Sequence, residues 1–79
     1  MADRAVTVDG TRWSVSVLAE RAPHGRCWRL VVGFRSPEPS SRSVWATYPS
    51  EFTSRSALFA QADRLSDDAI AGLLQQQLV

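Results

Sequence analysis

A lone cysteine has the clearest capacity for covalent chemistry in this sequence. Cys27 stands between Arg26 and Trp28, and a neighbouring guanidinium favours the thiolate, which is the nucleophilic form of the side chain. Nucleophilic catalysis also needs a base and an orienting group, and no recognisable motif supplies them. We therefore interpret Cys27 as a structural thiol.

Acid–base chemistry has few candidates. His24 lies in the Pro/Gly-containing loop 22–25, where a solvated imidazole is expected, and Glu20 is the nearest carboxylate along the chain. Asp67 and Asp68 are adjacent, so on a helix their side chains diverge by about 100° and do not converge as an acid and a base would. We interpret this pair as anions in the first turn of a helix that Ser66 caps.

Motifs for phosphate, cofactor and metal binding are missing from the sequence. It contains no Gly-x-Ser-x-Gly elbow, no Walker loop and no Gly-x-Gly-x-x-Gly. One cysteine and one histidine cannot fill the four ligand positions of a structural zinc site, and one cysteine cannot form an intramolecular disulfide. The sequence therefore predicts a non-enzymatic protein with no metal and no cofactor.

A set of arginine, tryptophan and valine side chains is better suited to binding. Tryptophan and arginine are enriched at interface hot spots, and single-stranded nucleic acids stack on aromatic rings and pair their phosphates with arginine. The candidates are Trp45, Arg12, Arg29, Arg35 and Val31. They can act together only if the elements that carry them bring them to one surface.

The first half of the chain shows the alternation of apolar residues and the turn signals of antiparallel strands. We predict strands over residues 4–8, 11–20, 27–36 and 42–48, with Asp9-Gly10 as a two-residue hairpin turn and Pro49 ending the fourth strand. The last third has helical periodicity and predicts helices over about 54–64 and 67–78, although the polar run 53–56 leaves a partly extended segment as an alternative to the first. The apolar stripes are Leu58, Phe59, Ala62 and Leu65, then Ile70, Leu73, Leu74 and Leu78.

Symmetric loops give a register for this sheet. The first turn sets Val8 opposite Thr11, the second loop sets Ala19 opposite Trp28, and the fourth strand then places Tyr48 opposite Leu30. One face becomes apolar throughout and must be covered by the helices. The sequence therefore predicts a single small α+β domain over residues 1–79, a four-stranded antiparallel β-meander (order 1-2-3-4) with one or two C-terminal helices packed on one face.

The opposite face of the sheet carries the candidate binding residues. Trp45 is expected across from Gly33, where its indole can cover the bare backbone, and this is a purely structural interpretation of Trp45. Arg12 and Arg35 come out diagonal to one another with Arg29 along the same row, and like charges so close are unfavourable without an acidic or phosphate partner. The hypothesis is that this open face binds a macromolecule.

A protein partner fits the open face better than a nucleic acid. Only one aromatic side chain is available for stacking, the net charge is +1, and the RNP1 pattern of RNA-binding sheets is missing. A single-stranded nucleic-acid-binding module using the same face is the alternative. The exposed edges of the first and fourth strands would allow a homo-oligomer or a larger assembly to form by strand pairing. The apolar stripe of the last helix offers a second route to a dimer.

Composition bounds the class of protein. The 79 residues are 44% hydrophobic and include three Trp, which excludes disorder for most of the chain and two separate domains. No apolar run approaches the roughly 20 residues of a membrane span, and Asp3 and Arg4 interrupt any secretory signal, so we expect no membrane partner and a cytoplasmic location. Nine Arg and no Lys indicate a GC-rich, bacterial genome.

Scattered anchors along the chain resemble a group of small bacterial proteins of unassigned function. The run Asp9-Gly10-Thr11-Arg12-Trp13-Ser14-Val15 and the run Leu65-Ser66-Asp67-Asp68 resemble the D-G-x-x-W-x-V hairpin and the L-S-D helix start of that group. The resemblance implies the order of the elements. It implies no activity and no site residue.

Overall fold

The structure of the protein, a computed structural model, describes residues 4–23, 25–37 and 41–78. Its elements are β1 (Arg4–Val8), β2 (Thr11–Arg21), β3 (Trp28–Arg35), β4 (Ser43–Phe52), α1 (Arg55–Arg64) and α2 (Asp67–Leu78). The strands form one antiparallel sheet in the order β1-β2-β3-β4, and both helices pack against it. The predicted α+β meander is confirmed, with two helices. His24 lies outside the described residues.

The first hairpin forms as its turn residues require. Asp9 and Gly10 both have positive φ, 52° and 79°, which is the backbone conformation of a type I′ turn. Val8 therefore pairs with Thr11, which confirms the predicted pair, and Val6 pairs with Trp13.

The register between β2 and β3 differs from the predicted one by two residues. Ala19 pairs with Leu30 and not with Trp28, because β2 continues to Arg21 and the loop that follows spans residues 22–27. The backbone N–H of Ala22 closes this loop by donating to the carbonyl of Cys27 at 2.9 Å. A shift of two residues keeps every side chain on its predicted face.

The fourth strand does not end at Pro49, as predicted, but continues to Phe52. The register between β3 and β4 shifts between Arg29 and Val31 of β3. Residues 48–50 of β4 lie opposite Leu30 alone in this bulge, so the predicted pair of Leu30 and Tyr48 is not formed. Proline donates no backbone hydrogen bond and is tolerated at such a bulge. Beyond it, Phe52 pairs with Trp28.

Serine side chains start both helices. The Ser54 hydroxyl accepts from the backbone N–H of Ala57, and the Ser66 hydroxyl accepts from that of Ala69, each at 3.1 Å. Ser66 confirms the predicted cap, and Ser54 explains how α1 begins within a polar run of low helix preference.

The helices bury one stripe each against the apolar face of the sheet. Leu58 and Ala62 of α1 and Ile70 and Leu74 of α2 are buried, whereas Phe59 is 37% exposed. The expectation that Phe59 belongs to the core stripe is wrong, because Leu58, about 100° away on the helix, already points into the core. The buried core consists of Val6, Val8, Trp13, Leu30, Val32, Phe34, Ala46, Leu58, Ala62, Leu65, Ile70 and Leu74.

Arg4 joins β1 to the junction of the two helices, a contact that the sequence analysis missed. Its guanidinium donates to the carbonyls of Ala62 (3.2 Å) and Leu65 at the end of α1 and to the carboxylate of Asp67 (3.1 Å) at the start of α2. Carbonyls at a helix C-terminus lack partners within the helix, and a cation there is favourable. Arg4 therefore links β1 to the end of α1 and to the start of α2.

No helix among the described residues has the length and apolar character needed to cross a bilayer.

Candidate functional site: the outer face of the sheet

The surface of the sheet that points away from both helices is called the outer face below. In the observed registers, the even-numbered residues of β2 and the odd-numbered residues of β3 lie on it, together with the residues of β4 that pair with them. They are Arg12, Ser14, Ser16, Leu18, Glu20, Arg29, Val31, Gly33, Arg35, Ser43, Trp45, Thr47 and Glu51. The five predicted binding residues are all on this face.

The indole of Trp45 lies against Gly33 at the centre of the outer face. The two residues are paired across β3 and β4, as predicted, and a Cβ added to Gly33 would come within 2.5 Å of Cζ3 and 2.9 Å of Cε3 of the indole. No side chain larger than that of glycine fits beneath the ring. The other side of the ring is open, so that 53% of Trp45 remains exposed.

An apolar strip crosses the outer face beside this indole. Leu18 of β2 pairs with Val31 of β3, and together with Trp45 they line an open depression of about 390 Å³. Leu18 is 50% exposed. The third exposed large apolar side chain among the described residues is Phe59, on α1, which is 37% exposed. Two of three such side chains therefore lie next to each other on one face.

A second depression of about 420 Å³ lies on the other side of Trp45. Its lining combines Arg35 and the serines Ser14, Ser16 and Ser43 with apolar surface, including that of Trp45. Arg35 pairs with Ser14, so Arg12, two residues earlier on β2, is its diagonal neighbour, and the predicted proximity of these two arginines is confirmed. The arginines and serines together make this end of the face rich in hydrogen-bond donors.

Arg29 is at the opposite end of the outer face. Six residues of β3, or about 20 Å of strand, separate it from Arg35, so the structure does not bring the three arginines together. The Arg29 guanidinium forms an ion pair with the carboxylate of Glu20 at 3.3 Å. In the register between β3 and β4, Arg29 lies opposite Glu51. The acidic partner that the like-charge argument required is therefore present at this end. Glu20 was not a predicted site residue, because the predicted register differs from the observed one by two residues and places Leu18 opposite Arg29.

A second arginine–tryptophan cluster lies near the start of α1. The guanidinium carbons of Arg21 and Arg55 are 5.2 Å and 5.5 Å from the ring centre of Trp28, within the range of cation–π attraction. Trp28 is half-buried and packs against the core, so this cluster covers the end of the sheet.

Residues with catalytic potential are not gathered on the outer face. Cys27 is half-buried and precedes β3. Within residues 4–23, 25–37 and 41–78, no three His, Cys, Asp or Glu side chains are close enough together to hold a metal ion. The arrangement on the outer face is suited to contact with a surface: a fixed aromatic ring, an apolar strip and charged ends.

No protein-family model, curated protein or solved structure shows a significant match to this chain, so the case for a function depends on the geometry of the outer face.

Proposed function

We propose that the protein is a small non-enzymatic interaction module, or an accessory subunit, that binds a protein partner through the outer face of its sheet. The observation that carries this proposal is the apolar strip of Leu18, Val31 and Trp45 on a face that neither helix covers. Exposed apolar side chains that lie together mark interaction surfaces more often than isolated ones do.

The strip has the features of an interface centre. The indole of Trp45 already rests on Gly33 in the single chain, so part of its side-chain entropy is lost before a partner covers it. Covering a half-exposed leucine or tryptophan contributes about 1 kcal/mol through the hydrophobic effect. Arg12 and Arg35 at one end and Glu20 and Glu51 at the other supply the polar rim that surrounds such a centre.

A single-stranded nucleic acid is the second candidate, and the observation that favours it is the depression where Arg35 and three serines adjoin Trp45. A base stacked on Trp45 would place a phosphate near Arg35 and the serine hydroxyls. The carboxylates of Glu20 and Glu51 on the same face repel a polyanion, which is why we favour protein.

The test compares two variants that each remove one exposed aromatic ring. Trp45→Thr removes the ring from the outer face and keeps a residue with strand preference, whereas Phe59→Ala removes a ring from α1. Tagged wild type and both variants are used for affinity capture from a lysate of the native cell after nuclease treatment, and bound proteins are quantified by mass spectrometry. We expect a stoichiometric protein with wild type and Phe59→Ala, and its loss with Trp45→Thr.

Two results would contradict the proposal. One is equal capture by all three proteins, because the outer face would then not be the binding surface. The other is capture that disappears with nuclease, accompanied by binding of a fluorescent oligothymidylate that weakens steeply with salt, as counterion release predicts. That result would assign the face to nucleic acid.

A further inference from the structure

The charges on the outer face are separated toward its two ends. Arg12 and Arg35 lie at one end, and neither forms an ion pair with another side chain of the described residues. The other end carries Glu20, Arg29 and Glu51. Glu20 neutralises Arg29, whereas Glu51 has no ion pair with any described side chain. Among the described side chains, one end therefore has two positive charges without an ion-pair partner, and the other end has one negative charge without one.

A second copy of the same face, turned by half a revolution, presents the matching charges. Consider a two-fold axis that lies between two facing sheets, runs across the strands, and passes between the Gly33–Trp45 row and the Leu18–Val31 row. Rows at equal distances on either side of the axis then face each other, and each strand lies over its own copy. Arg35 therefore lies over Arg29 of the second copy, in a row that also holds Glu20 and Glu51 on the flanking strands and has a net charge of −1. An interface of this kind is isologous, because the same residues serve on both sides.

The same axis matches the shapes at the centre of the face. The indole of Trp45 is on one side of the axis, over Gly33, and the apolar depression of Leu18 and Val31 is on the other side. The half turn places the indole of each copy over the depression of its partner. Each protruding ring thus covers the apolar strip that is exposed in the single chain.

Given the proposed function, on which this step depends, we infer that the protein partner is a second copy of this chain, bound face to face through the outer face. The area is modest: the strands span roughly 500 Å² of outer face, against about 800 Å² per partner in a typical stable interface. The dimer is therefore weak and forms in a concentration-dependent way.

The test uses charge reversals and sedimentation equilibrium over a range of protein concentrations. Arg35→Glu sets a negative charge over this net negative row at both symmetric contacts of a homodimer, whereas Glu51→Arg makes the row net positive beneath Arg35. Each variant alone should raise the dimer dissociation constant by about tenfold or more. In an equimolar mixture the heterodimer has opposite charges at both contacts, because the glutamate of Arg35→Glu lies over the net positive row of the Glu51→Arg chain and Arg35 of that chain lies over an unchanged row. The mixture should return to within about threefold of wild type.

Arg64→Glu is the matched control, since it makes the same change of charge on the last turn of α1 and should leave the dimer constant unchanged. Circular dichroism of each variant shows whether it folds. Three results would overturn the inference: a monomer for wild type at about 1 mM, where even weak specific dimers associate, a dimer that ignores the single reversals, or a mixture that does not recover. If wild type is monomeric but Trp45→Thr still loses a captured protein that Phe59→Ala retains, only the identity of the partner is wrong. If wild type is monomeric and Trp45→Thr also captures as much protein as wild type does, the proposed function is wrong as well.

Discussion

Gly33 and Trp45 form a single packing unit on a face that is otherwise open to solvent. Gly33→Ala brings a methyl group within 2.5 Å of the indole and within 2.8 Å of the Ser16 hydroxyl, so the ring must lift from the sheet. We expect this variant to lower the free energy of unfolding by about 1–3 kcal/mol, the usual range for overpacking, as measured by urea denaturation.

The same clash predicts strong non-additivity. In a Trp45→Thr background only the Ser16 hydroxyl, within 2.8 Å of the added methyl group, has to move, and rotation about its χ1 bond accomplishes this, so Gly33→Ala should cost less than about 0.5 kcal/mol there. Equal costs in the two backgrounds would show that the glycine is needed for some reason other than the indole above it.

Arg4 illustrates a contact that no local pattern reveals. Its partners are about 60 residues away along the chain, and only the packing of α1 and α2 on β1 brings them together. Arg4→Gln removes hydrogen bonds from a charged donor to the ends of two helices, and we expect a loss of about 1–2 kcal/mol in the free energy of unfolding. Arg12→Gln is the control, because it removes the same charge from an exposed position without described ion pairs and should change stability by less than about 0.5 kcal/mol. Equal losses would mean that net charge, and not these hydrogen bonds, sets the effect.

At the scale of elements, the parts that the sequence predicted well are those controlled by neighbouring residues. Asp9-Gly10 specifies its own turn, and alternation places Leu30 and Val32 on the covered face whatever the register. The pairing of β2 with β3 depends on the length of a loop, and the bulge at residues 48–50 depends on how β4 accommodates a proline. Local preference determines neither the loop length nor the bulge, so both parts of the register were mispredicted. Each error is an even number of residues, so every side chain stays on its predicted face. The error between β2 and β3 nevertheless moved Arg29 away from Glu20 in the predicted register.

The start of each helix is the element feature most open to a direct test. Ser54→Ala and Ser66→Ala each remove a side-chain acceptor for a backbone N–H that has no partner within the helix, and each should cost about 1 kcal/mol. Ser56→Ala, inside the first turn of α1, is the control, and it should be neutral or slightly stabilising because alanine is the better helix former. Urea denaturation of the three variants measures these differences. A loss at Ser56 as large as that at Ser54 would contradict the capping role.

The two faces of the sheet differ in what covers them. The inner side of the sheet and the two helices form one apolar core, while the outer face keeps Leu18 and Trp45 in solvent. Fold class and sidedness followed from periodicity alone, because a sheet this apolar on one face needs a cover. The identity of a partner does not follow from periodicity, since the same strip can meet any complementary surface.

Matched leucine variants on the two sides test this division. Leu30 on β3 is completely buried, and Leu30→Ala should lower the free energy of unfolding by about 2–5 kcal/mol, through lost burial and the cavity that remains. Leu18→Ala, the same substitution on the neighbouring strand, should cost no more than about 1 kcal/mol, because half of that side chain is already in solvent. A chain of 79 residues has on the order of 5 kcal/mol of stability, so thermal and urea denaturation should show the first variant largely destabilised and the second near wild type. Similar losses at both positions would mean that Leu18 is needed for folding. With the expected difference, Leu18→Ala remains folded, and any loss of partner binding it shows reports on the outer face alone.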